Sequence, residues 1–153
     1  MKDHYIEPEY NAVAEARRYV ENARTVLLEH GNLNVDENRY EDQKYVRAAG
    51  HYLWHSVLLA LEAVFHLKKK NNSRVHVERY RQLLANRDRK LLTWVNDAYL
   101  TMHLSMDYDG NRSKGNCDDG FRLANEIIDR CEAMINETEN GKRRTENYYY
   151  ERS

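Results

Sequence analysis

The chain is predicted to fold as an all-α, up-down four-helix bundle, and three observations carry that expectation. Apolar residues recur every three or four positions through four long segments, the spacing that places them on one face of a helix. Turn punctuation is sparse: one proline, Pro8, and six glycines in 153 residues, far fewer than a β-sandwich or barrel needs. The segments are joined by connections mostly under about 15 residues, which makes neighbouring helices antiparallel.

Helix 1 is expected from Pro8 to His30, with Pro8 in a first turn where its missing N–H costs nothing. Val13, Ala16, Val20, Ala23 and Leu27 form its stripe, and Gly31 is the expected stop. "NLNVDENRY" is then a loop. Helix 2 is expected from Arg39 to Lys69, with Val46, Ala49, Leu53, Val57, Ala60, Val64 and Leu67 inward and apolar groups around more than half its circumference. It is therefore the most buried of the four. Gly50, inside that apolar run, predicts close helix–helix contact. Helix 3 is expected from Ser73 to Ser105 and helix 4 from Asp118 to Thr138, the latter presenting Phe121, Ala124, Ile128, Cys131 and Ile135. Residues 1–138 thus make one domain. Residues 139–153, "NGKRRTENYYYERS" from Asn140 onward, have no apolar period and read as a basic, tyrosine-rich tail, flexible unless its three consecutive tyrosines dock on a neighbour.

No apolar run reaches the ~18 residues of a membrane span, and no secretory leader is visible at the start. Two cysteines do not make a disulfide framework, so cytoplasmic residence is the default. Cys131 falls on an apolar face as a small buried hydrophobe, while Cys117 lies in a polar loop and is assigned no chemistry.

The net charge of −1 conceals a segregation: residues 66–90 carry nine basic and two acidic groups, residues 91–140 four and ten. A basic end on a near-neutral molecule steers phosphate-bearing partners or meets the acidic end of another copy. Arg74, Arg79, Arg81, Arg87 and Lys90 are the candidate binding residues, although their projection around the helix is broader than a phosphate-tracking stripe. Arg87 also falls inside the apolar stripe of helix 3. A buried arginine needs a partner, Glu62 or an Asp of helix 4, unless it snorkels to water. Twelve tyrosines against two phenylalanines suit half-buried seams or a subunit interface, and predict a homodimer.

Three of seven histidines lie in "RAAGHYLWHSVLLALEAVFHLKKK". His51, His55 and His66 fall within about 60° of one another, on a polar edge opposite the apolar stripe. His55 and His66 are eleven residues apart, roughly 16 Å along the axis, too far to share one ion. His51 and His55 would need a third ligand from another helix, such as His103 or an Asp. We therefore read a solvated or interface-lining edge, with no metal and no cofactor assigned; Arg47, His51 and His55 are the candidates if the edge is catalytic. "DYDGNRSKGNCD" spaces Asp107, Asp109, Asn111 and Asp118 like a calcium loop. Arg112 stands where that loop requires glycine, and Asp118 replaces its bidentate Glu, so it reads as a turn.

"YVRAAGHYLWHSVLLALEAVF", with its alternating small and aromatic residues, resembles the HEPN superfamily of small bacterial helical bundles associated with nucleotide or RNA chemistry. "AYLTMHLSMDYDGN" followed by "GFRLANEIID" resembles an uncharacterised family of small bacterial proteins of Bacteroides type, over residues from about 10 to 136. The HEPN resemblance implies a bundle fold and, for its ribonuclease members, an Arg and a His with four to six residues between them. The pair read as nearest to that is Arg47 and His51, with three residues between them: both fall on one helical face, but they miss the motif. The expected function is a non-enzymatic association module contacting a nucleotide or nucleic-acid partner at the basic helix 2–3 end. The alternative is a divergent, metal-independent HEPN-type ribonuclease of a toxin–antitoxin-like system.

Overall fold

The computed structural model describes residues 11–67 and 73–151, with side chains for 11–67 and 76–142. It is all-α apart from one short hairpin. The elements are α1 (Ala12–His30), β1 (Leu33–Asn34), β2 (Arg39–Tyr40), α2 (Gln43–Phe65), α3 (Ser73–Arg87), α4 (Arg89–Ala98), a π-helical segment (Tyr99–Tyr108) and α5 (Lys114–Glu151).

Each boundary has a local cause. Asn11 caps α1, its side-chain oxygen accepting from the Ala14 N–H at 3.1 Å. The expected start at Pro8 lies outside the described residues. Gly31 ends α1, but not as a left-handed cap: its φ is −67°, and Asn32 takes the positive φ instead. Glycine is needed at 31 for space, because a Cβ would stand 2.6 Å from the Leu27 carbonyl oxygen and 2.8 Å from the Tyr40 ring. Asp42 caps α2, whose last turn closes at a left-handed His66, so α2 is shorter at both ends than its apolar period suggested.

The expected first loop contains a hairpin, β1 antiparallel to β2 with Leu33 opposite Tyr40. Its outer edge is tied to the segment before α5: Tyr40 N–H donates to the Arg112 carbonyl and Lys114 N–H to that of Asn38. Two-residue strands are too short to carry a readable alternation.

The single helix expected over Ser73–Ser105 is divided. Asp88 leaves the helical path, accepts from the Leu91 N–H at 3.0 Å, and starts α4 as a new N-cap. From Tyr99 the backbone widens into ten residues of π-helix, closed by the Asp109 N–H on the Leu104 carbonyl. At the C-terminus α5 runs through Glu151, so the backbone of 139–151, read as a flexible tail, is helical. Residues of good helix propensity extend the helix there without an apolar period, and Gly141, with open space around it, does not stop it.

α2 is the centre of the molecule, packed on α1, α5 and the π-segment. Val46, Ala49, Leu53, Val57, Ala60 and Leu61 are fully buried on it. Each large side chain of that set contributes about 1.5–3 kcal/mol by leaving water. Gly50 is a contact point as predicted: a Cβ would meet Met106 Cβ at 2.5 Å and the Asp107 amide nitrogen at 2.7 Å. That close approach sets the distance between α2 and the π-segment. Among the described residues no helix is long and apolar enough to cross a membrane.

Candidate functional site

Two regions gather chemistry-bearing side chains. The first is the rim of α2. His51 and His55 lie one turn apart with rings in edge contact at 4.7 Å, and Tyr19 of α1 reaches the His55 ring at 5.9 Å. Across from them the π-segment delivers Asp107, whose Oδ2 stands 3.4 Å from His51 Nδ1 and 3.9 Å from His103 Nδ1. π-Helical turns are rare and concentrate at functional sites. Here the widened turn brings Tyr99, His103 and Asp107 into succession, the first two rings 5.2 Å apart. Arg47, His51, Tyr52, His55, Tyr19 and Asp107 line an open groove of about 440 Å³.

The electrostatics of the rim follow from this packing. A carboxylate only accepts, so the 3.4 Å contact of Asp107 with His51 Nδ1 is a hydrogen bond when that nitrogen carries a proton. His55 is held below the ordinary imidazole value, first by burial and then by the neighbouring His51, with Asp107 opposing. The expected wet edge is correct for exposure, His51 being 59% exposed, but the edge is not isolated. Asp107 had been one position of a calcium-like spacing; it is engaged instead by two imidazoles, and Asp118 by Lys114 at 2.6 Å. Among the described residues no three His, Cys, Asp or Glu side chains are placed to hold a metal ion.

Another pair in the chain, Arg24 and His30, has five residues between its members and so meets the spacing of the HEPN ribonucleases. The fold separates them. The Arg24 guanidinium lies over Phe121 of α5 and the His30 ring stacks on Tyr45 of α2.

The second region is the corner between α3 and α4. Arg87, Asp88, Arg89, Lys90, Trp94 and Arg130 line a groove of about 520 Å³. Arg87 is exposed here, its guanidinium 5.6 Å from the Phe65 ring centre, and has neither the burial nor the acidic partner expected of a stripe residue. The reason is the break at Asp88, which places Arg87 at a helix end. The acid that is held is Asp88 itself, accepting from Arg130 Nε at 2.7 Å. Burial pushes the Asp88 carboxyl up, but the Leu91 amide and Arg130 outweigh it and hold it low.

Most described cations reach a carboxylate; Arg17, Arg39, Arg122 and Arg130 each reach two. Those that reach none among the described residues are Lys44 and Arg47 beside the rim, Arg79, Arg87, Arg89 and Lys90 along α3–α4, and Lys142. Of the predicted binding set, Arg81 is engaged by Glu78, Asn96 and the Tyr99 ring, and Arg79 by Gln82. The side chain of Arg74 lies outside those described. Arg89, Trp94 and Arg130 were not singled out from the sequence; "NRDRK", with an N-capping Asp inside a basic run, was the available sign of a corner. Both cysteines are buried and their thiols pushed up to about 12 by that burial, which makes them inert.

A family model described as a domain of unknown function, DUF5618, matches residues 11–133. The chain belongs to the DUF5618 family. A solved structure, a protein of unknown function from Dyadobacter fermentans, is similar at 38% identity with a TM-score of 0.71, covering 80% of this chain and 94% of that one. No curated protein matches. The DUF5618 match spans the rim and the corner alike, from α1 into α5.

Proposed function

We propose that this DUF5618 chain is a non-enzymatic association module that takes a phosphate-bearing partner, a nucleotide or nucleic acid, at the α3–α4 corner. The observation that carries the proposal is the sorting of charges: Arg87, Arg89 and Lys90 line one groove and none is neutralised by a described carboxylate. Unpaired cations on a low-dielectric surface steer and hold polyanions. In this reading the helices form a HEPN-like four-helix bundle of a bacterial, cytoplasmic protein, with α3 and α4 sharing one rod. It works as a homodimer without a cofactor, through half-buried tyrosines and the exposed Leu100 and Tyr108 of the π-segment. The test is binding of a labelled oligonucleotide across a salt series. Affinity should fall steeply with salt, and Arg87→Ala/Arg89→Ala/Lys90→Ala should flatten the slope by about three phosphate contacts. Binding unchanged in that variant would refute the assignment. Sedimentation across a concentration series, with Tyr108→Glu as the disrupting variant, tests the dimer.

The Asp107–His51 pair favours a second reading, a metal-independent ribonuclease with Arg47, His51 and His55 as its catalytic edge. It requires RNA turnover in chelator and loss of turnover in His51→Ala with the fold intact.

A further inference from the structure

We infer that the partner at the corner is single-stranded nucleic acid, anchored by stacking a base on Trp94 as well as by phosphate contacts; this rests on the phosphate-binding reading above. Three observations carry it. First, Trp94 lies in the groove, half-buried and packed on the core at its base, so its indole is rigidly held while the groove remains open. Second, the Lys90 ammonium lies 5.1 Å from the Trp94 ring centre. It occupies the position a base would take. A lysine side chain is long and flexible, so an arriving base displaces it without backbone movement, and the released ammonium is then beside the flanking phosphate. Third, Arg130 is fixed at the groove wall by Asp88 and Glu137, at 2.7 and 3.5 Å, so one wall stays in place while Arg87 and Arg89 remain available for the backbone. A rigid aromatic among mobile cations is the arrangement that binds unpaired bases with little sequence preference. Base pairs in a duplex keep their faces stacked on each other and cannot use it.

The two tryptophans make this directly testable, because Trp54 is 7% exposed and Trp94 lines the groove. A Trp54→Phe chain leaves Trp94 as the only indole. Titration with a short single-stranded oligoribonucleotide should quench its emission, and Trp94→Ala should weaken binding about tenfold or more with the salt slope unchanged. Trp94→Phe, which retains a stacking face, should recover most of the affinity, which separates stacking from any fault in folding. Lys90→Ala should instead reduce the salt slope by about one. The inference is overturned if a duplex of the same sequence, or heparin, which has charge but no bases, binds as tightly as the single strand. It is equally overturned if Trp94→Ala binds like the parent while the Arg87/Arg89/Lys90 variant does not; in that case the phosphate reading survives alone. Absence of any polyanion binding removes both.

Discussion

The rim and the corner are built from similar residue types with opposite electrostatic outcomes. At the rim, Asp107 faces two imidazoles and bonds one of them, His51, while the buried His103 Nδ1 has no hydrogen-bond partner among the described residues, and the arrangement depends on a close helix contact at Gly50. At the corner Asp88 is committed to Arg130 and to the start of α4, and Glu137 to Arg130 as well, so the three neighbouring cations reach no described carboxylate. A carboxylate held against imidazoles fixes local geometry, whereas cations that reach no carboxylate leave a field directed outward. The rim is thus tied to the core and the corner to the surroundings, and variants should separate them.

The largest effect is expected at the contact beneath the rim. Gly50→Ala places a methyl against Met106 and the Asp107 backbone and should destabilise the fold by about 3 kcal/mol in denaturant unfolding. It should also move Asp107 away from His51, while polyanion affinity at the corner persists in the folded fraction. Loss of corner binding with the rim intact would reverse the comparison.

Asp88→Ala should cost about 1–2 kcal/mol, from the lost N-cap and the partner taken from Arg130. The Asp88 carboxyl is held low in the folded state, so its contribution is complete above the unfolded value near 3.9 and disappears as pH falls through the lower folded one. The parent should therefore lose stability below about pH 4 more steeply than Asp88→Ala does. Parallel acid curves would show that Asp88 contributes no ionic stabilisation.

At the rim, His55 should titrate below its ordinary value near 6.5 in NMR, and His51→Gln should bring it partway back, leaving the burial effect. With the folded value depressed, the unfolded chain takes the proton first. Stability attributable to His55 is full above about 6.5 and declines as pH falls through the folded value. An upward displacement of His55 would mean that Asp107 dominates both imidazoles. The smallest effect belongs to the corner: Arg87→Ala/Arg89→Ala/Lys90→Ala should shift stability by no more than about 0.5 kcal/mol, because these exposed cations reach no described carboxylate and make only solvent-exposed ring contacts. A larger loss would make them structural.

Much of the fold was legible in the chain because burial follows a period. The stripe of α1 is buried throughout and most of those of α2 and α5 are, with Val64, Leu67, Phe121 and Ile135 only partly covered, and Gly50 was read as a contact from its position alone. The divided third helix was not legible. Leu84, Leu91, Val95 and Met102 keep helical spacing across Asp88 and into the π-segment, so the apolar pattern runs over a break that a single capping side chain creates. The rim was half legible: His51, His55 and Arg47 share a helical face by spacing, whereas Asp107 reaches them from 56 residues beyond His51, and no local rule connects them.

By itself, the sequence determined that this chain is helical, which faces are apolar, and where its positive charge accumulates, because propensity, periodicity and composition act within a few turns of backbone. Pairs three or four apart on one helix, such as Lys114–Asp118, follow from spacing, but tertiary structure decided which charges meet across the fold. Pairing Asp107 with His51 and Asp88 with Arg130 requires segments distant in the chain to meet at 3.4 and 2.7 Å. Both contacts arise only once packing sets the separation between those segments, and residue order does not encode that separation.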